Sequence, residues 1–298
     1  MLLILILFIL FCQPAYAIEQ VHILYHDSNT SSRLFKEQLT RTFLANDIKH
    51  QTVNLDRVKN IRTLSSAGEL VFITVGSRAL QTAWQQLKNK KIFSLLVSQD
   101  KIKNIIATSS HDNELYGLYL EQPLKRQIFL AQQLIPGIRT IGFLTTPDNY
   151  TSLRNQLKYY QSNADFQIQT VNDQRSLGRA LSYILKNSEL LITLAEPEIY
   201  NRSSLRNILL SSYRNNVPLL GLNKAFVDAG CLAAVYTTNE QFAQEAAEIL
   251  NSTTDRMLLP KIHYAKKFAI SLNHKVARFL GLYIHTKKEI LTRMTENE

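Results

Sequence analysis

The stretch IGFLTTPDNYTSLRNQLKYYQSNADFQIQTVN, Ile141–Asn172, is an imperfect second copy of Ile23–Asn54. Ile141 answers Ile23, Gln156-Leu157 answers Gln38-Leu39, and the QTVN of Gln169–Asn172 repeats Gln51–Asn54, all at one offset of 118 residues. Each copy reads as a short apolar strand, a polar loop, an amphipathic helix and a second strand. The echo continues: Glu189-Leu190-Leu191 answers Glu69-Leu70-Val71 at 120, and Val217–Leu220 answers Ile92–Leu95 at 125. Small loop insertions produce such a slowly rising offset. Matches of two residues arise by chance, so the weight lies in the ordered series. It implies two similar α/β lobes in tandem.

Working outward, Val21–Tyr25 is a β-rich run followed by the polar loop His26–Thr30 and a helix over Ser31–Asn46, with Phe35, Leu39 and Phe43 on one face. Glu69–Val75 reads as a buried strand ending at Gly76-Ser77, where a helix begins with Ala79, Leu80, Ala83, Trp84 and Leu87 as its apolar stripe. Trp84 in such a stripe is a core residue. Ile92–Val97 is a further buried strand, and Leu118–Pro123 is the passage to the second lobe. There a helix stopped by Pro136-Gly137 is followed by Thr140–Leu144, the helix Ser152–Gln161, the strand Phe166–Val171, a helix near Leu177–Lys186 and the strand Leu190–Leu194. A helix through Tyr213, a strand Pro218–Leu222, a loop Asn223–Asp228 and a strand Cys231–Tyr236 come next. Thr238 and Gln241 have capping-box spacing before the helix Glu240–Leu250, and the tail offers one strand around Tyr264–Leu272 and a helix from Asn273 to Leu282. Strands alternating with helices of this size make parallel sheets with right-handed crossovers.

Leu2–Phe11 is an unbroken apolar run, and Ala15-Tyr16-Ala17 places small residues at the −3 and −1 positions of a cleavage site. The run is shorter than the roughly 20 residues needed to span a bilayer. It is expected to be a secretory signal peptide, residues 1–17, cut after Ala17, which places the mature chain in the periplasm. No Lys or Arg precedes the run, so a retained anchor is the rival reading. Phe11 is too bulky to precede a lipidated Cys12. Removal of Cys12 leaves Cys231, which cannot form an internal disulfide and reads as a buried small hydrophobe. The formal charge is +10, and from Arg256 onward nine basic residues face three acidic ones. An exported chain with such a tail has a solvated basic face, or contacts anionic lipid or an acidic partner; nucleic acid is not expected.

Catalytic signatures are absent: neither standard phosphate loop occurs, Gly76-Ser77 lacks the second glycine of a nucleophile elbow, and the seven histidines form no zinc-binding spacing. No enzyme, cofactor or metal is therefore expected. In open parallel sheets, ligands bind outside the carboxyl ends of the strands. Those ends supply Asp27, Ser28, Ser77, Arg78, Gln99 and Asp100 in the first lobe, and Thr145, Asn149, Glu196 and Asn223 in the second. Small polar residues at helix N-termini suit a zwitterion or carboxylate, and Arg78 is the natural partner of a ligand carboxylate, unless it serves in a salt bridge at the lobe surface.

Several segments resemble ABC-transporter substrate-binding proteins of periplasmic binding protein type I, in the branch that includes binders of aromatic amino acids. They are FITVGSRALQTA (Phe72–Ala83), LIPGIRTIGFLTTPDN (Leu134–Asn149), NNVPLLGLNKAFVDAGCLAAVYTT (Asn215–Thr238) and LPKIHYAKKFAISLNHKVARFLGLYI (Leu259–Ile284). The resemblance implies two Rossmann-like, flavodoxin-like lobes with parallel sheets and three crossover segments. Lobe 1 would comprise 18–117 plus 237–260, and lobe 2 118–236 plus 261–298. It also implies a small ligand clamped by hinge closure and an ABC permease and ATPase as partners. Pocket positions carried over by loop are Ser77, Asp100, Thr145, Asn149 and Glu196. The chain departs from the family in three loops: Asp100-Lys101 replaces Asp-Pro, the Asn-x-Thr-Gly loop is missing around Ile105–His111, and Glu196-Pro197 replaces Asp-Asn.

Two functional readings follow. The first is a periplasmic solute-binding protein of an ABC importer, taking a small amino-acid-like molecule between its lobes. The second is an extracytoplasmic sensor or interaction module that keeps the fold with a changed or lost ligand site and works with a membrane signalling partner. The altered loops and basic tail favour the second somewhat.

Overall fold

The computed structural model describes residues 20–58, 60–64, 70–108, 112–160, 163–252 and 259–297. The expected signal peptide, 1–17, lies outside them. The first sheet is built from β1 (Gln20–Tyr25), β2 (His50–Asn54), β3 (Leu70–Val75), β4 (Lys91–Val97), β5 (Glu114–Tyr119) and the two-residue β11 (His263–Tyr264), in the order β11-β5-β4-β3-β1-β2. The second uses β6 (Thr140–Thr145), β7 (Asp165–Thr170), β8 (Leu190–Ile192), β9 (Leu219–Gly221), β10 (Ala233–Tyr236) and β12 (Ala269–Leu272), in the order β12-β10-β9-β8-β6-β7. Counting strands within each lobe, both sheets run 2-1-3-4-5, the flavodoxin-like winding. All first-sheet pairs are parallel; β12 closes the second sheet antiparallel to β10.

Helices cover both faces of each sheet, so strands are buried on both sides and read as nearly continuous apolar runs. In the first lobe Ile23 and Ile73 face α1 (Thr30–Ala45) and α9 (Asn239–Ser252), while Leu24 and Phe72 face α2 (Ser77–Gln86). Trp84 lies in that second cluster, 4% exposed, as a core residue. In the second lobe Phe143 and Ile192 pack with α4 (Leu124–Leu134) and with Ile290 and Met294 of α11 (Lys287–Glu296). On its other face Leu144 and Leu191 pack with α6 (Gln174–Asn187), α7 (Arg202–Arg214) and the buried Cys231. Truncating a core side chain such as Phe143 to Ala would cost about 3–5 kcal/mol.

The chain crosses between lobes three times, at 120–123, 237–238 and 265–268, as strands of one sheet lead into elements packed on the other. After the second crossing α9 returns to the first lobe, where Phe242 meets Phe35 edge-on with ring centroids 6.5 Å apart. The capping box that starts α9 is formed: Thr238 N–H donates to Gln241 Oε1 (2.9 Å) and Gln241 N–H to Thr238 Oγ1 (3.1 Å).

Several elements differ from the sequence reading. The sequence reading lacks the helix α3 (Gln99–Ala107) and α11, whose apolar residues are few and interspersed with polar ones, and β5, whose apolar run is interrupted by Gly117; the expected tail helix is the shorter α10 (His274–Phe279). The expected loop Asn223–Asp228 is instead the helix α8 (Lys224–Ala229), capped by Asn223, whose Oδ1 accepts the Phe226 N–H. The single tail strand is two, β11 in one sheet and β12 in the other, split by the third crossing. The first sheet thus takes its last strands from Glu114–Tyr119 and His263–Tyr264.

Candidate ligand-binding cleft

The carboxyl ends of both sheets turn towards the junction of the lobes, but they meet different fates. In the first lobe Asp56, just past β2, gathers the loop after β1. It accepts the Ser28 N–H (2.9 Å) and the Ser28 hydroxyl (3.3 Å), and its Oδ1 lies 2.7 Å from His26 Nδ1. Arg78 donates to Ser28 Oγ (3.3 Å) and lies 3.9 Å from Asp56. These bonds, with His26 first, hold the Asp56 carboxyl well below the usual carboxylate range. Arg78 thus stands in a surface ion pair with its side chain 70% exposed. Asp27, Ser28, Ser77 and Arg78 are not among the lining residues of the cavities described next.

Two cavities, one much smaller than the other, open between the lobes, and they share Glu121, Gln122, Gln127 and Ala195. The smaller brings together four expected residues, Gln99 and Asp100 at the start of α3, Asn149 in α5 (Pro147–Lys158), and Glu196 after β8. Thr145 lies buried behind it, and Asn223 lines the larger cavity beside Lys224. Leu96 also lines the larger cavity, at φ +59° in a bulge where β4 and β5 slip register. A left-handed backbone at Leu costs roughly 1–2 kcal/mol. Opposite, Gly117 of β5 lies so close to Ser94 that an added Cβ would come within 2.1 Å of its carbonyl oxygen.

The smaller cavity is acidic. Asp100, Glu121 and Glu196 line it, with no Lys, Arg or His among the described lining residues. Glu196 is 3% exposed: its Oε1 accepts the Thr145 hydroxyl (2.6 Å) and its Oε2 the Thr146 N–H (2.5 Å). Burial raises its pKa, and those two donors oppose the shift. Burial also pushes the Glu121 carboxyl up to about 7, against the pull of the Gln99 N–H donated to its Oε1 (2.7 Å). The Tyr264 phenol is pushed up to about 12, by burial first and then by Glu121.

Behind the cleft the three crossings are tied together. Gln122 Nε2 donates to Thr237 Oγ1 (2.6 Å), and that hydroxyl donates to the Lys267 carbonyl (3.0 Å). Arg126 donates to Gln122 Oε1 (2.8 Å) and the Ala265 carbonyl (2.6 Å), with its guanidinium 4.6 Å from the centre of the Phe268 ring. Buried Glu245 of α9 accepts the N–H groups of Lys266 and Lys267. In front of them Lys101 and Glu198 face each other across the lobes at 3.7 Å. Sequence reasoning marked Leu118–Pro123 as a passage but overlooked Glu121, Gln122 and, in the third crossing, the neighbouring Tyr264. The missed signal was polarity: a crossing segment forms the back wall of the cleft, so its polar residues are candidates.

Two lobes wound 2-1-3-4-5, three crossings and a cavity at the strand ends make up the fold of type I periplasmic binding proteins. The chain belongs to the ABC transporter substrate-binding protein family, whose model matches residues 42–297. That family is one of binding proteins, not of enzymes. No curated protein sequence matches the chain significantly. Among solved structures, a substrate-binding protein with adhesive properties from Clostridium difficile, ligand-free and open, matches with TM-score 0.67 at 13% identity, covering 90% of this chain and 97% of its own. An ABC domain from Streptococcus pneumonia in complex with L-Trp gives 0.58 at 16%, covering 92% and 97%. A periplasmic solute-binding protein from Actinobacillus succinogenes with bound D-allose gives 0.50 at 13%, covering 87% and 99%. At these identities the likeness speaks for the fold alone.

Proposed function

We propose that this chain is the periplasmic solute receptor of an ABC importer and holds a small amino-acid-like molecule between its lobes. The observation that carries this is the acidic cavity, where Asp100, Glu121 and Glu196 stand among the amides of Gln99, Asn149 and Gln156. Carboxylates suit a protonated amine, and side-chain amides serve either end of a zwitterion. Rotation about the crossings would close the lobes on the ligand and present them to a permease, with an ATPase driving transport. The L-Trp held by the Streptococcus pneumonia domain fits the same ligand class.

Thermal-shift screening of the purified protein against amino acids, nucleosides and sugars tests this reading. A ligand at 100 times its Kd adds about 2.7 kcal/mol to stability, a shift of several degrees. Stabilisation by amino acids is expected; stabilisation by none of the three classes would remove the importer assignment. One observation favours the sensor reading instead: Ser28 and Arg78 are engaged with Asp56 and do not line the cavities. An adjacent receptor kinase or cyclase gene, in place of permease and ATPase genes, would decide for it.

A further inference from the structure

The three carboxylates of the smaller cavity are not equivalent. Both oxygens of Glu196 are taken, by the Thr145 hydroxyl and the Thr146 N–H. Asp100 lies 3.7 Å from Lys103 in an exposed pair. Glu121 Oε1 accepts the Gln99 N–H, but Oε2 is sealed from bulk solvent without a hydrogen-bond partner among the described residues. Buried carboxylate oxygens are normally bonded, so this one lacks a donor, and a ligand reaches it only when the wall covering it moves with the lobes. Glu121 stands in the wall that both cavities share, on the first crossing segment and next to Gln122 of the hinge network.

We infer that Glu121 receives the protonated amino group of the ligand on its free Oε2, making it the residue that selects amines. This rests on the amino-acid-like reading above and names the residue responsible. Asp100 and Lys103 face Glu121 from α3, Tyr264 from β11, and Asp100 in turn faces Glu196 from the second lobe. Desolvation outweighs the backbone N–H groups of Gln99 and of Glu121 itself, and the more distant Lys103, and keeps the empty site near half protonation at neutral pH, with the carboxyl at about 7. An arriving ammonium ionises it, and the carboxyl proton leaves to solvent as the ion pair forms. Binding therefore tightens as pH rises through about 7 and weakens below it.

The test is calorimetry on the purified protein and its Glu121→Gln variant, at about pH 6 and about pH 8, in two buffers of different ionisation enthalpy. The probes are L-tryptophan, L-tyrosine and L-leucine, their decarboxylated amines, and their deaminated acids. The inference expects amino acids and amines to bind and the deaminated acids to fail. It expects Glu121→Gln to weaken binding about ten- to a hundredfold, and proton release near neutrality in the wild type alone. Amino acids that bind both proteins equally would overturn the role of Glu121 while leaving the functional reading intact. Amines that bind through Glu121 while amino acids do not would keep Glu121 and sink the amino-acid reading. Binding by none of the probes would overturn both. Should the variant fail to fold, wild-type affinities that do not fall below neutrality overturn the inference on their own.

Discussion

The two lobes solve one local problem in opposite ways. In each, the loop after the first strand must find an acceptor for a backbone N–H, and in each a carboxylate from a neighbouring loop supplies it. Asp56 takes the Ser28 N–H in the first lobe; Glu196 takes the Thr146 N–H in the second. Asp56 is partly exposed, beside His26 and Arg78, and its pKa falls. Glu196 is buried with only hydroxyl and amide donors, and its pKa rises. The balance sets the sign: at Asp56 the hydrogen bonds, that of His26 first, outweigh a small desolvation, and at Glu196 burial outweighs the Thr145 and Thr146 donors.

The largest expected effect follows from that contrast. Glu196→Ala leaves the part-buried Thr146 N–H without its acceptor and the Thr145 hydroxyl with only the Thr146 carbonyl at 3.5 Å, and two lost bonds to a charged group cost about 3 kcal/mol. Asp56→Ala should cost less, because water reaches the groups it abandons. Urea unfolding of both variants checks the order; equal losses would mean that burial is not what separates the two loops.

The duplication that reveals these paired loops was legible in the sequence, but its register was not. First strands end at Tyr25 and Thr145, an offset of 120, while the second strands end opposite them at Asn54 and Thr170, an offset of 116. The QTVN echo at 118 is thus out of register by two residues in each strand. A slip of two leaves every side chain on the same face, so the apolar pattern survives it and cannot report it. Gln99, Asp100, Asn149 and Glu196, which line the smaller cavity, are legible as candidates because strand-end loops read as turn-forming, polar segments. Glu121 and Tyr264 escaped because their importance comes from crossings that sheet order alone discloses. Of the two readings of Arg78, the surface salt bridge is formed, and its partner was not legible because Asp56 follows β2 and joins it only through the parallel pairing of β1.

Titration sharpens the comparison next. A depressed carboxyl such as Asp56 contributes stability at neutral pH that fades as acid protonates it. Glu121 works the other way: the unfolded chain ionises near 4.5 and the folded one near 7, so stability falls as pH rises between them. Linkage puts the loss on the order of 3 kcal/mol. Glu121→Gln should remove that slope and raise stability at neutral pH, measured by urea unfolding from pH 4 to 8 (roughly the window of the shift). A slope that survives the substitution would assign it to Glu196 instead. A smaller loss is expected in the hinge, which belongs to neither lobe. Thr237→Val deletes the hydroxyl between Gln122 and the Lys267 carbonyl, at a cost of about 2 kcal/mol. A second unfolding transition in that variant would show the lobes separating as cooperative units.

The smallest effect concerns Lys101 and Glu198, which join the lobes across the mouth of the cleft. Their side chains are 47% and 60% exposed, and such pairs contribute about 0–1 kcal/mol, less in salt. Lys101→Ala should therefore leave the unfolding midpoint almost unchanged. Lobe closure is a more delicate balance, because two states separated by a few kcal/mol shift visibly under a small bias. The expected result is a wider mean separation, read by X-ray scattering or a fluorophore pair, reproduced in the wild type by high salt. The exposed Arg139–Glu189 pair lies within the second lobe, lines neither cavity and provides the control, since breaking it biases neither lobe against the other. If Lys101→Ala and salt leave the separation untouched, the crossings alone set the closure. The asymmetry between the lobes would then bear on their local stability and not on how they meet.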